Sequence, residues 1–119
     1  MICGVGTDIV EVDRMKKAIE NTGFLERYFT KSENEYFMLK KYNPMTIAAS
    51  FAAKEAVAKA FGTGFRGFKL TDIEILRDGL GKPYVRLYNK VEKMTDGAKI
   101  HLSLSHTTDY AVAFAVMEK

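Results

Sequence analysis

The feature that most narrows what this chain can fold into is the run of small residues between Asn43-Pro44 and Gly62. Alanine fills positions 48, 49, 52, 53, 56, 58 and 60, with Ile47, Phe51, Val57 and Phe61 set among them. Asn is a favourable N-cap, Pro is tolerated at the first helical position, and a following Gly ends a helix cleanly. The segment therefore reads as the longest helix of the chain. Alanine favours helix and adds little bulk, so the backbone of this helix can approach its neighbours closely.

The remaining elements follow from periodicity and turn chemistry. Residues 2–7 hold two glycines in an apolar stretch, read as a short strand that ends in a close-packed or ligand-facing bend with Asp8 at its exit. Apolar residues at 12, 15, 18 and 19 predict a helix that stops near Asn21 and Gly23. Thr30-Lys31-Ser32-Glu33 has capping-box spacing and predicts a helix to about Lys41. Lys69–Arg77 and Lys82–Leu87 read as strands joined by Asp78-Gly79-Leu80-Gly81, whose glycines supply positive φ for a tight hairpin. A short helix over Tyr88–Thr95 is followed by alternation at Ile100, Leu102 and Leu104, a half-buried strand, and by the apolar run Tyr110–Met117, its buried partner. The sum is one α+β domain over residues 1–119, with helices mostly in the first half and a mainly antiparallel sheet in the second.

Composition sets the outer bounds. A chain of 119 residues, 47% hydrophobic and 28% charged, is in the range of one globular domain with limited apolar surface to spare, and oligomerisation would help it. The single Cys3 forms no intrachain bridge, and no Cys/His cluster has zinc-ligand spacing, so a reducing, cytoplasmic setting is expected. The N-terminus lacks the pattern of a signal peptide, and no apolar run approaches membrane-spanning length, so no membrane partner is expected. The formal charge of +3 calls for no nucleic-acid partner, and the aromatics are scattered rather than interleaved along a basic strip.

One motif is a decoy. Gly62-Thr63-Gly64-Phe65-Arg66-Gly67 has the spacing of a dinucleotide fingerprint, but that fingerprint needs a strand before it and a helix after it, the reverse of the order here. What survives is a plain helix end and loop, or a loop whose amides and Arg66 lie beside an anion. Asp8 can cap the next helix or bind a hard cation. Glu55 can pair with Lys59 one turn on, or serve a site. His101 and His106 read first as polar strand and turn residues. Residue chemistry alone leaves each of these open.

Taken together, Gly4-Val5-Gly6-Thr7-Asp8-Ile9-Val10, the helical Phe51-Ala52-Ala53-Lys54-Glu55-Ala56-Val57-Ala58-Lys59-Ala60-Phe61-Gly62-Thr63-Gly64, Gly81-Lys82-Pro83 and Ser103-Leu104-Ser105-His106 closely resemble, in order and spacing, the holo-acyl-carrier-protein synthases. The resemblance implies a 4′-phosphopantetheinyl transferase fold and a homotrimer with active sites between subunits. It implies Mg²⁺-dependent transfer of phosphopantetheine from coenzyme A to a serine of apo-acyl carrier protein, with adenosine 3′,5′-bisphosphate leaving. Asp8 and Glu55 match the metal-holding carboxylates. Lys59 matches a lysine assigned to the departing phosphate, and Lys54 is expected to hold phosphate nearby. Either Glu55 or a water on the metal takes the serine proton. Ser105, His106 and Thr107 match a turn near the nucleotide, and Gly64, Arg66, Lys82 and Pro83 are further expected contacts. Arg14, Phe24 and Arg27 are expected to dock the acidic carrier. Ser50 departs from the pattern, which calls for a basic residue before Phe51. The competing readings are a non-catalytic module that holds coenzyme A or a carrier protein, and a nucleic-acid-binding domain.

Overall fold

The computed structural model of the chain describes residues 1–62 and 67–119. Its longest helix, α4, spans Pro44–Ala60 and starts as expected, with Asn43 Oδ1 accepting from the Met45 amide at 2.9 Å. Every alanine of α4 and Val57 is buried. The face they form lies against strand β1 (Ile2–Glu11) and strand β5 (Tyr110–Glu118). The close approach depends on the β1 glycines. A Cβ on Gly6 would fall 1.9 Å from the carbonyl oxygen of Ala56, and one on Gly4 would fall 2.1 Å from that of Ala60. Both obstacles are backbone, so no side-chain adjustment would relieve them.

β1 runs past the expected exit at Asp8. It pairs antiparallel with β5 from Ile2 to Glu11, and Asp8 lies within it, opposite Ala113. The extension has a simple cause. β5 offers an unbroken strand partner, and no turn residue stands between Asp8 and helix α1 (Val12–Ala18). Strand β4 (Lys99–His106) pairs with the other edge of β5, giving the order β1-β5-β4. A separate hairpin joins β2 (Ile73–Arg77) to β3 (Pro83–Leu87), both pairings being antiparallel. Its turn is held by Asp78 Oδ1, which accepts from the amides of Leu80 and Lys82. Of its two glycines, only Gly81 uses positive φ, at 85°.

Helix α3 (Lys31–Leu39) has the expected capping box, with the Glu33 amide donating to Thr30 Oγ1 at 3.2 Å and the Thr30 amide donating to Glu33 Oε1 at 2.8 Å. Helix α5 (Asn89–Met94) lies where a short helix was expected. Helix α2 (Phe24–Tyr28) was not foreseen, because five residues are too few to display a helical period. It is held by rings, Phe24 against Tyr28 with centroids 4.9 Å apart and both against Phe51 of α4 at 6.4 Å.

β5 differs from the expectation of a buried strand. Ala111, Ala113, Ala115 and Met117 face α4 and are buried. Tyr110, Val112 and Phe114 point the other way, into an open face that they share with Val5 and Ile9 of β1; Ile9 is 62% and Phe114 46% exposed. Within one chain, only the small-residue face of the sheet finds a helix to cover it.

Candidate active site

Because α4 presses against β1, residues one turn apart on the helix come level with Asp8. Lys59 directs its ammonium at the strand, 3.1 Å from Asp8 Oδ1, and donates to the carbonyl oxygen of Thr7 at 3.0 Å. Asp8 therefore does not cap α1, whose first turn has no side-chain cap. Glu55 precedes Lys59 by one turn, and the two carboxylates, one from the strand and one from the helix, line one cleft. Burial holds the Glu55 carboxyl above its ordinary pKa, the Asp8 charge raises it further, and Lys59 only partly offsets both. The arrangement is two mutually repelling carboxylates with one ammonium on Asp8.

Among the described residues there is no group of three or more His, Cys, Asp or Glu side chains able to cage a metal ion. A pair of carboxylates does fit Mg²⁺, which commonly takes one or two protein carboxylates and completes its octahedron with water and phosphate. A divalent cation would also relieve the repulsion recorded in the Glu55 pKa.

The cleft holding both carboxylates has a volume of about 550 Å³, and its walls include Arg14, Phe24, Phe51 and Tyr110. A second cleft of about 700 Å³ shares Phe24, Phe51 and Glu55 with it and adds Arg27, Phe68 and Lys69. Glu55 thus borders both. The three residues expected to dock a carrier protein, Arg14, Phe24 and Arg27, all lie on these walls. Phe51 and Lys69 were missed by sequence reasoning, since Phe51 follows the helical stripe of core positions and Lys69 reads as an ordinary strand end.

Lys54 requires a correction. It was expected to hold phosphate, yet it is fully buried, with Nζ 2.7 Å from Glu33 Oε1 and donating to the carbonyl oxygens of Leu70 at 2.9 Å and Ile73 at 2.7 Å. All three of its donors are spent inside the protein. Glu33 Oε2 also accepts from the Ile75 amide at 2.9 Å. Burial pushes the Glu33 pKa up and the Lys54 pKa down, and their attraction opposes both shifts. The physical reason for the change of role is its position on α4: Lys54 projects from the buried side of the helix, one residue from the side that carries Glu55.

Pro83 and His106 meet in a third cleft of about 390 Å³, away from Asp8 and Glu55, together with Arg77. Lys82 is exposed beside it. Ser105 is exposed opposite Val112 in the sheet register. Thr107 Oγ1 accepts from the amides of Asp109 and Tyr110 and so shapes the β4–β5 turn. Gly64 and Arg66 lie outside the described residues.

Comparison with known proteins gives the family of this fold. A family profile described as the 4′-phosphopantetheinyl transferase superfamily matches residues 4–115. A holo-[acyl-carrier-protein] synthase of Clostridium botulinum (strain Alaska E43 / Type E3) is 57% identical, over 99% of this chain and 98% of its own length. The crystal structure of the holo-[acyl-carrier-protein] synthase from Neisseria meningitidis superposes with a TM-score of 0.91 at 38% identity, over the whole of both chains. That of a holo-(acyl-carrier-protein) synthase from Bacillus anthracis str. Ames, in complex with CoA (3′,5′-ADP), has a TM-score of 0.85 at 35% identity, over 100% of this chain and 98% of the other. The chain belongs to the 4′-phosphopantetheinyl transferase superfamily and, within it, to the holo-[acyl-carrier-protein] synthase family of enzymes.

Proposed function

We propose that this enzyme transfers 4′-phosphopantetheine from coenzyme A to a serine of an apo-acyl carrier protein, as a cytoplasmic homotrimer that uses Mg²⁺. The observation that carries the reading is the convergence of Asp8 from β1 and Glu55 from α4, with Lys59 on Asp8, along a trough walled by Arg14, Phe24 and Arg27.

In the reaction the serine oxygen forms a bond to the phosphorus that bears the pantetheine arm, and the bond from that phosphorus to adenosine 3′,5′-bisphosphate breaks. Transfers of this kind are accelerated mainly by positioning and by cations placed where oxygen charge develops. Asp8 and Glu55 would hold Mg²⁺, which supplies charge neutralisation on the diphosphate when bound. Lys59 faces the developing negative charge of the leaving phosphate from the same wall. Glu55, which lines the cleft beside Asp8, is the residue suited to take the serine proton. Arg14 and Arg27 steer an acidic carrier to the trough, and Phe24 provides apolar contact there.

The trimer is supported by the open sheet face. Val5, Ile9, Tyr110, Val112 and Phe114 form an exposed apolar surface of the kind monomeric proteins seldom leave uncovered, and a second copy of the chain is the partner that covers it. Intact-mass spectrometry of an apo carrier incubated with the protein and coenzyme A tests the reaction. The expected result is a phosphopantetheine-sized gain that disappears with excess chelator. No gain with several competent apo carriers would leave the chain as a module that holds coenzyme A or a carrier without turnover.

A further inference from the structure

Two walls of the second cleft are joined underneath by one buried ammonium. Helix α2 contributes Phe24, Arg27 and Tyr28 to that cleft, a 3-10 turn at Leu70–Asp72 contributes Leu70, and α4 contributes Phe51 and Glu55. A helix of five residues with none of them buried cannot fix its own position, so α2 stands where its attachments put it. Besides its rings on Phe51, these run through α3. Asn34 Nδ2 donates to the carbonyl oxygens of Leu25, Phe29 and Thr30, so α2 moves with the start of α3. Lys54 joins that start to the turn. Its Nζ lies 2.7 Å from Glu33 Oε1 and 5.1 Å from the centre of the Phe29 ring, and it donates to the carbonyl oxygens of Leu70 and Ile73. Thr30 and Glu33 also bond Glu74 and the Ile75 amide, but those contacts lie in β2, beyond the turn. The outer side of the turn is held separately, Asp72 Oδ1 accepting from Asn89 Nδ2 at 2.7 Å and the Asp72 carbonyl from the Tyr88 amide at 2.9 Å.

We propose that Lys54 is a positioning residue for the carrier protein: it fixes the α2 wall, with Phe24 and Arg27, relative to the wall at Leu70, and so sets the shape of the cleft that receives the carrier beside Glu55. The inference rests on the proposed reaction, in which Phe24 and Arg27 meet the carrier. Stability alone does not account for the charge. An ion pair with both side chains fully buried adds little over an apolar pair of similar volume, because desolvation offsets the attraction. What the ammonium adds is direction, since three donors aimed at three oxygens fix angles that an apolar side chain leaves free. Lys54 itself reaches neither cleft. Asp8 and Lys59 are bonded to each other, and Lys59 to the Thr7 carbonyl, outside this network, so a loosened α2 would alter the carrier side of the site and leave the diphosphate side in place.

Isothermal titration calorimetry of the full chain with an apo-acyl carrier protein tests it without turnover, with thermal midpoints taken on the same samples. The double change Lys54→Met with Glu33→Gln exchanges the pair for uncharged side chains. It is expected to keep a midpoint near that of wild type while weakening the carrier by about tenfold or more, the scale of one well-placed interface contact. Glu33→Gln alone leaves the bonds from Lys54 to Leu70 and Ile73, and is expected to lower the midpoint yet bind the carrier within about twofold of wild type. In steady-state transfer the loss in the double variant should fall on KM for the carrier and not on KM for coenzyme A. Hydrogen exchange on the unaltered chain decides the matter even if the double variant does not fold. The amides of Phe29 and Ile73, which close α2 and the turn, are expected to open together and to be slowed together by the carrier. Unchanged carrier affinity in the double variant, an equal loss in Glu33→Gln, an equal rise in both KM values, or independent opening of the two amides would overturn the assignment, as would a wild type that fails to bind the carrier. A wild type that binds the carrier without transferring phosphopantetheine would instead count against the proposed reaction and leave affinity and exchange measurable.

Discussion

At the scale of single residues, the site is a problem of like charge. Glu55 sits half-buried beside Asp8, so its proton is held more tightly in the folded chain than in the unfolded one. A carboxyl whose folded pKa is raised contributes stability that is present below its unfolded value and lost as pH rises through the folded value. The ionised form needed near neutrality therefore costs stability, and Glu55→Gln should raise the thermal midpoint of the metal-free protein at pH 7 while changing it less, or not at all, at pH 4. Mg²⁺ held by Asp8 and Glu55 would oppose that shift, so the acid limb of the transfer rate should move to lower pH as Mg²⁺ is raised; a limb indifferent to Mg²⁺ would mean another group titrates.

Among elements, α4 does two jobs on adjacent residues. Lys54 points inward and ties the carbonyls of Leu70 and Ile73 to Glu33 at the start of α3, while Glu55 lines the cleft and Lys59 bonds Asp8. Removing one partner of a buried ion pair leaves the other uncompensated, so Lys54→Met should cost about 3–5 kcal/mol in urea unfolding, and adding Glu33→Gln should recover much of it. A cost under about 1 kcal/mol would show that the pair is not needed. Most of this element map was legible in the sequence: the Asn43-Pro44 start, the Thr30–Glu33 capping box, the 78–81 turn and the alternation in β4 all depend on local chemistry that a sequence displays. What was illegible depends on distant partners. β1 is longer than its glycines suggested because β5 supports it, α2 exists because Phe51 is there to receive its rings, and Lys54 cannot be told from Glu55 or Lys59 until the buried side of α4 is known. Asp8 and Glu55 came forward through a family resemblance, and their physical reason to converge appears only when Gly4 and Gly6 let the helix close on the strand.

For the whole molecule, the proposed assembly rests on the open face of the β1-β5-β4 sheet. A strand as apolar on both sides as Tyr110–Met117 is suited to burial on both faces, and one chain covers only one. Light scattering on the eluted protein should give the mass of three chains, and Phe114→Asp should shift it to one; a monomeric wild type would contradict the assembly. The most direct measurement of the central claim, that Asp8 and Glu55 jointly serve transfer, is the single-turnover rate on an apo carrier for wild type, Asp8→Asn and Glu55→Gln, with thermal midpoints taken on the same samples. The expected result is a loss of at least about a hundredfold for each variant, the scale of one positioned acid–base group, with neither midpoint lowered. Rates near wild type in either variant would contradict it.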